Sequence, residues 1–270
     1  MDTTSEITKT KYGYKKNLIS NYTKPRYVYI EYQIKDKENT PYKTNSLDHR
    51  TLIVIEGQVI VEFMNENGEM KNKIFNKLDG WHVFPNTIYK IINNHSQFST
   101  VIEAGSNLGE DNEFKELDLI KKENGPPCIS VSSYLVEKPW GGEVWFTQNI
   151  EEELTYALKK IWMNEGNQSS LQSHEIKMET NYVIEGKAKV LYGLIAPKDI
   201  NTVIKIDDLK EKIYESGTGW SSEHRELHRV IAKSDYISIE VSTPELDDVI
   251  RWEDDTNRGH GRIVSEHVQK

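Results

Sequence analysis

The chain has 270 residues, one cysteine and a formal net charge of -9, a length that accommodates one large domain or two of ordinary size around a substantial core. The single thiol, Cys128, excludes an internal disulfide framework and points to a reducing compartment, and the acidic balance argues against a general nucleic-acid binder, whose footprint is a basic face. Residues 1–8 show no secretory leader and no apolar run approaches the ~20 residues that span a bilayer, so a soluble, cytoplasmic protein with no membrane partner is expected.

From the amino terminus, residues 26–32, 51–55, 58–63 and 100–103 are rich in β-branched and aromatic side chains and predict short strands. Turn-rich stretches such as Asn65-Glu66-Asn67-Gly68 separate them. His49, His82 and His95 have no ligand constellation around them and are expected to be surface or hydrogen-bonded histidines. Residues 108–125 are charged and end in Gly125-Pro126-Pro127, which predicts a linker with one helix over 111–117. Lys138-Pro139-Trp140-Gly141-Gly142 follows, and then the most informative stretch of the chain.

In Leu171-Gln172-Ser173-His174, alternate residues of an extended strand share a face, so Gln172 and His174 point the same way. Residues 175–178 are short enough for a turn, Glu179 opens a β-branched strand, and Gly186 allows a tight reversal into the next. With His228 further on, two imidazoles and oxygen ligands can converge on one divalent ion, Zn, Mn, Fe or Ni. Gln172 is a weak neutral ligand and alternatively hydrogen-bonds substrate or water. Lys138, Lys159, Lys160, Lys177 and Arg229 lie near this motif in sequence. They can form a local basic pocket, or stand as solvated surface groups.

These segments resemble the two motifs of the cupin superfamily. Within it, "SLQSH", "ETNYVIEGKAKV", "HRV" and "STPELDDVIR" are similar to the metal-dependent phosphomannose isomerases and related sugar-modifying cupins, over residues 136–255. The resemblance implies an all-β fold of jelly-roll barrels, a metal held by Gln172, His174, Glu179 and His228, and a homodimer. It further implies aldose-ketose isomerisation of a sugar or sugar phosphate in carbohydrate metabolism. Lys138, Trp140 and Arg229 would bind that substrate. Glu240, Asp247, Arg251 and Lys159 would serve the proton relay. Packing and surface ion pairing are the plain alternatives for Trp140 and for Asp247 with Arg251.

Ile176 stands where the relatives carry a second histidine, and His224 where they commonly carry proline. The charged segment 195–216 is longer than a minimal connection and is expected to cover the pocket or alter substrate preference. Two other functions share the same ligands: a non-haem Fe(II) dioxygenase with a facial triad, and a non-catalytic sugar-binding module.

"LIVIEGQVIVEF" in the first half mirrors "NYVIEGKAKVLYG" in the second, which predicts a duplication and hence two tandem barrels. The expected units are a first barrel over 20–108, a linker over 109–135, a second barrel over 136–250 and a tail over 251–270. Aligning Gly57 on Gly186 sets Lys43, Asn45, Arg50 and Tyr89 against Gln172, His174, Glu179 and His228. The first barrel is therefore expected to hold no metal.

Overall fold

The computed structural model describes residues 2–3, 6–19, 27–95, 97–119, 124–256 and 258–263. The start of the first expected unit, at residues 20–26, and the end of the tail, at 264–270, lie outside the described residues.

The first half contains β1 (Ile7–Thr10), β2 (Gly13–Asn17), β3 (Tyr27–Ile34), β4 (Tyr42–Asn45), β5 (Arg50–Glu56), β6 (Gln58–Met64), β7 (Met70–Asn76), β8 (Gly80–Val83), β9 (Tyr89–Asn93), β10 (Ser99–Ser106) and β11 (Asp111–Phe114). A single-turn helix, α1 (Glu116–Leu119), and β12 (Ile129–Ser130) lead into the second half. There follow β13 (Tyr134–Lys138), β14 (Gly141–Trp145), β15 (Ala157–Met163), β16 (Leu171–Ser173), β17 (Glu179–Glu185), β18 (Lys187–Tyr192), β19 (Lys210–Glu215), β20 (Gly219–Ser222), β21 (Arg229–Ala232), β22 (Tyr236–Ser242), β23 (Val249–Glu253) and β24 (Gly261–Ile263).

Each half closes two antiparallel sheets face to face. In the first, β1-β2-β3-β10-β5-β8-β12 faces β11-β4-β9-β6-β7; in the second, β13-β14-β15-β22-β17-β20 faces β24-β23-β16 and β21-β18-β19. Bridges Gln172↔His228 and Gln168↔Ile231 join those last two sheets, so the strand orders of the halves correspond.

Strand alternation decides what each side chain meets. On β17, Glu179 and Asn181 line a cleft inside the second barrel, whereas Tyr182 and Ile184 join a core shared with the first barrel. That core sets Tyr27, Tyr29, Ile53 and Ile102 against Leu158, Ile239 and Val241, so the halves pack through their larger sheets. Tyr27 Oη and Thr180 Oγ1 are 2.9 Å apart across it, and Tyr29 Oη donates to the Ile239 carbonyl at 2.9 Å.

The expected linker is largely built into the barrels. Residues 111–114 form a strand on β4 rather than a helix, because β4 offers an open sheet edge that satisfies more backbone groups than one helical turn can. β12 pairs with β8 of the first barrel, Ile129 opposite His82. Segment 195–216 does not cover the cleft: Ala196 is buried with Leu209 and Trp252 in a separate cluster, with Ile200, Ile204 and Ile206 packed against it. Among the described residues no helix is long and apolar enough to cross a membrane.

Candidate metal centre

Three ligand-bearing strands meet inside the second barrel. β16 leads to His174, β17 begins at Glu179, and His228 immediately precedes β21. One ligand atom from each of His174, Glu179 and His228 lies within 4.8 Å of the others, and all three residues are buried. Glu179 Oε2 is 3.4 Å from His174 Nε2, and Oε1 is 3.2 Å from His228 Nε2. Gln172 brings its amide to the same point, 3.2 Å from His228 Nε2.

The imidazoles are oriented from behind. His174 Nδ1 lies 2.5 Å from the Asp248 carbonyl and His228 Nδ1 lies 3.1 Å from the Glu226 carbonyl. A carbonyl only accepts, so both Nδ1 atoms donate, and each ring in its neutral form turns its Nε2 lone pair inward. His174 Nε2 is buried without a hydrogen-bond partner. Two such lone pairs converging on a carboxylate repel it unless a proton or a metal ion lies among them. A divalent ion fits that donor set.

Burial would raise the Glu179 carboxyl, but Lys177 and the two histidines hold it well below the usual carboxylate range. His174 is pushed below its ordinary value by burial and by Lys177. For His228 burial acts in the same direction, but its hydrogen bond to Glu179 prevails and raises it.

Behind the triad runs a buried chain of alternating charges. Lys177 Nζ is 2.7 Å from Glu179 Oε2 and 3.0 Å from Glu240 Oε1. Lys159 Nζ is 3.3 Å from Glu240 Oε1 and 3.1 Å from Glu143 Oε1, and Lys138 Nζ is 3.9 Å from Glu143 Oε2. Burial would discharge Lys159 and Lys177; their flanking carboxylates outweigh it and raise both above the ordinary lysine value.

No family model matches the chain, and no curated protein does. Solved structures do. An arginine-to-alanine mutant of Bacillus subtilis oxalate decarboxylase OxdC superposes with a TM-score of 0.69 at 12% identity, over 92% of this chain and 77% of that one. A structure from work on the Mn(II) centres of the same Bacillus enzyme gives 0.67 at 12% identity, over 93% and 78%. The formate complex of Lactobacillus farciminis oxalate decarboxylase gives 0.66 at 11% identity, over 93% and 87%. The fold is a bicupin.

In this bicupin the first barrel is the control. Lys43 and Arg50 occupy the register of Gln172 and Glu179, and Glu103 that of Glu240. Lys43 Nζ lies 2.6 Å from Glu103 Oε2, and Arg50 Nε 3.3 Å from Glu103 Oε1. The charges are exchanged as well: Asp48–Arg50 at 3.3 Å stands where the second barrel has Lys177–Glu179. A guanidinium and an ammonium fill the first barrel where a metal would sit.

The structure brings Lys138, Trp140, Lys159 and Glu240 to the cleft with Gln172, His174, Glu179 and His228. Trp140 also packs in the barrel core beside Met163 and Tyr236. Arg229 is not brought there. The residue after an inward-facing His228 faces outward, and Arg229 pairs with Glu253 at 3.3 Å. Asp247 is exposed, and its neighbour Asp248 does the supporting, accepting the Lys177 N–H at 2.8 Å and presenting its carbonyl to His174. Arg251 is buried outside the cleft, donating to the Gly259 carbonyl at 2.9 Å. His224 is exposed, as expected of a loop histidine.

Glu143, Lys177 and Arg258 also line the cleft. The sequence marks Lys177 only as one of several nearby lysines, although it shares strand parity with Glu179, which is a readable signal. It does not single out Glu143 or Arg258. Arg258 comes from a loop beyond β23, for which the sequence offers no signal.

Proposed function

We propose that this chain is a divalent-metal-dependent isomerase that interconverts the aldose and ketose forms of a sugar phosphate. The observation that carries the reading is the buried relay Glu179–Lys177–Glu240–Lys159–Glu143 abutting the metal triad. Isomerisation needs one proton moved between adjacent carbons by a positioned acceptor, with a donor at the oxygen that gains charge. Glu240 is the acceptor that removes and returns the proton. Lys177, held as an ammonium, is the donor. Lys159 orients Glu240 from the other side, and Trp140 offers an apolar face to a sugar ring. A bound divalent ion supplies polarisation of the substrate oxygen beside the carbon that loses its proton.

Four cationic side chains and three carboxylates line the cleft, so an anionic substrate is favoured over a neutral sugar. A dioxygenase or a non-catalytic sugar module uses the same ligands but gives the buried relay no task.

Metal content should be measured for the wild type and a His174→Ala, His228→Ala double variant, with sugar phosphates assayed anaerobically and in air. Stoichiometric metal lost in the variant, with oxygen-independent interconversion, is the expected result. Oxygen consumption, or carbon dioxide released from oxalate without sugar turnover, would replace the isomerase reading. Absence of metal from both proteins would remove its basis.

A further inference from the structure

Arg258 differs from the other cations of the cleft in where it comes from and how it is held. Lys138, Lys159 and Lys177 rise from the barrel and face the buried carboxylates Glu143, Glu179 and Glu240. Arg258 reaches the cleft from the loop that follows β23, and its side chain is 18% exposed against 5% for Lys177 and 7% for Lys159. It is thus the most accessible of these cations to an incoming anion.

Its loop is pinned at both ends. Asp254, its side chain 3% exposed, accepts from Arg258 Nε at 3.0 Å and Nη2 at 2.5 Å, and its other oxygen accepts the Thr256 N–H at 2.9 Å. Burial opposes ionisation of Asp254, but the hydrogen bonds from Arg258 and Thr256 hold it far below the usual carboxylate range. Arg251 of β23 donates to the Gly259 carbonyl at 2.9 Å. A guanidinium braced through Nε and Nη2 by a buried carboxylate keeps its plane in one orientation, which lowers the ordering cost of binding an oxyanion at its outer edge.

We infer that Arg258 is the specificity-determining residue that takes the oxyanion group of the substrate, and that the segment after β23 is part of the binding site. The inference rests on the isomerase reading for its substrate but not for its chemistry. Guanidinium N–H groups outside the Asp254 contact can donate to a phosphate ester or to a carboxylate alike.

The test compares the Mn(II)-loaded wild type with Arg258→Met and Arg258→Lys, using inorganic phosphate and oxalate as calorimetric probes. Unchanged near-UV circular dichroism establishes that the variants fold. Arg258→Met is expected to weaken phosphate binding by about 10- to 100-fold, the loss of one charge-assisted contact, with Arg258→Lys intermediate. A loss confined to phosphate assigns a phosphate ester, and a loss confined to oxalate assigns a carboxylate. Equal affinity of all three proteins for both probes overturns the role of Arg258. With a sugar phosphate as substrate, KM should rise by a similar factor while kcat changes little. Arg258-dependent phosphate binding without sugar turnover would sink the isomerase reading and leave this one standing. Turnover whose KM ignores Arg258→Met would do the reverse.

Discussion

Glu240 and Glu103 stand at matching points of two barrels, each between two buried cations. Glu240 lies between Lys159 and Lys177, beside the His174–Glu179–His228 triad; Glu103 lies between Lys43 and Arg50, where no such triad exists among the described residues. The same substitution should therefore do different things. With Glu240 as the proposed proton acceptor, Glu240→Gln should lower turnover by roughly 10²- to 10⁴-fold, the usual contribution of a positioned acid-base group. Glu103→Gln should leave turnover of the folded protein unchanged and cost about 3–5 kcal/mol of stability in urea unfolding, since it takes the carboxylate from buried Lys43 while Arg50 keeps Asp48. Loss of turnover in folded Glu103→Gln would show that the first barrel is not merely structural. Burial would raise the Glu103 carboxyl, but Lys43 and Arg50 bring it down to about 2. Its stabilisation is thus complete above the ordinary carboxylate value and is lost as pH falls through about 2. At this scale the sequence was legible wherever spacing within one strand or turn sets parity, as for Gln172, His174 and Glu179. Parity also places Lys177 with Glu179 and turns Arg229 away from His228. It could not supply Arg258, whose position depends on how a loop folds back over the barrel.

Strand reversals are the elements that sequence marks most clearly, and they carry a measurable cost. Gly186 joins β17 to β18 at φ +76, and a Cβ there would lie 1.9 Å from the Asp235 carbonyl oxygen. Its counterpart Gly57 has φ +81, but the nearest atom to its Cβ is the Ser99 hydroxyl at 2.5 Å, which can rotate aside. Both alanine variants incur left-handed strain of about 1–3 kcal/mol. Gly186→Ala adds a clash with fixed backbone, so it should lower the melting temperature distinctly more than Gly57→Ala. Equal shifts would mean that the Asp235 loop yields easily. "EG" after a β-branched run was readable in both halves because glycine adopts that backbone without strain. The strand over 111–114 was not readable: three of the four residues in Asp-Asn-Glu-Phe disfavour strands, and the open edge of β4 organises it. The length of segment 195–216 was visible, but Ala196, Ile200, Ile204, Ile206 and Leu209 pack in a cluster apart from the cleft, which periodicity alone does not distinguish from a cover.

At the scale of the whole molecule, the two halves exchange arms. β12 adds to β8 of the first barrel, and Val131 N–H donates to the Gly80 carbonyl at 2.9 Å; Thr3 N–H donates to the matching Gly219 carbonyl of the second barrel at 3.0 Å. A polar chain also crosses between them. Tyr156, just before β15, meets Thr51 of β5 at 2.8 Å; Thr51 Oγ1 lies 2.9 Å from His82 Nδ1, and His82 Nε2 lies 3.0 Å from His49 Nδ1. Burial, reinforced by His49, pushes the His82 imidazole down from its ordinary value of 6.5 to about 3. The unfolded chain therefore binds a proton between those values that the folded chain refuses. Stability from this group is complete above pH 6.5 and falls progressively as pH drops toward 3. Fully developed, the loss is on the order of 3–5 kcal/mol, since each tenfold change in proton affinity is worth about 1.4 kcal/mol. His82→Gln removes the titrating group while leaving an amide to bond Thr51 or His49. Urea unfolding between pH 6.5 and 4, with Mn(II) saturating so that His174 and His228 stay deprotonated, should thus show a shallower loss of stability in His82→Gln than in the wild type. Parallel pH curves would mean that His82 is hydrated in solution and that the junction between the barrels opens more readily than its buried, bonded geometry implies.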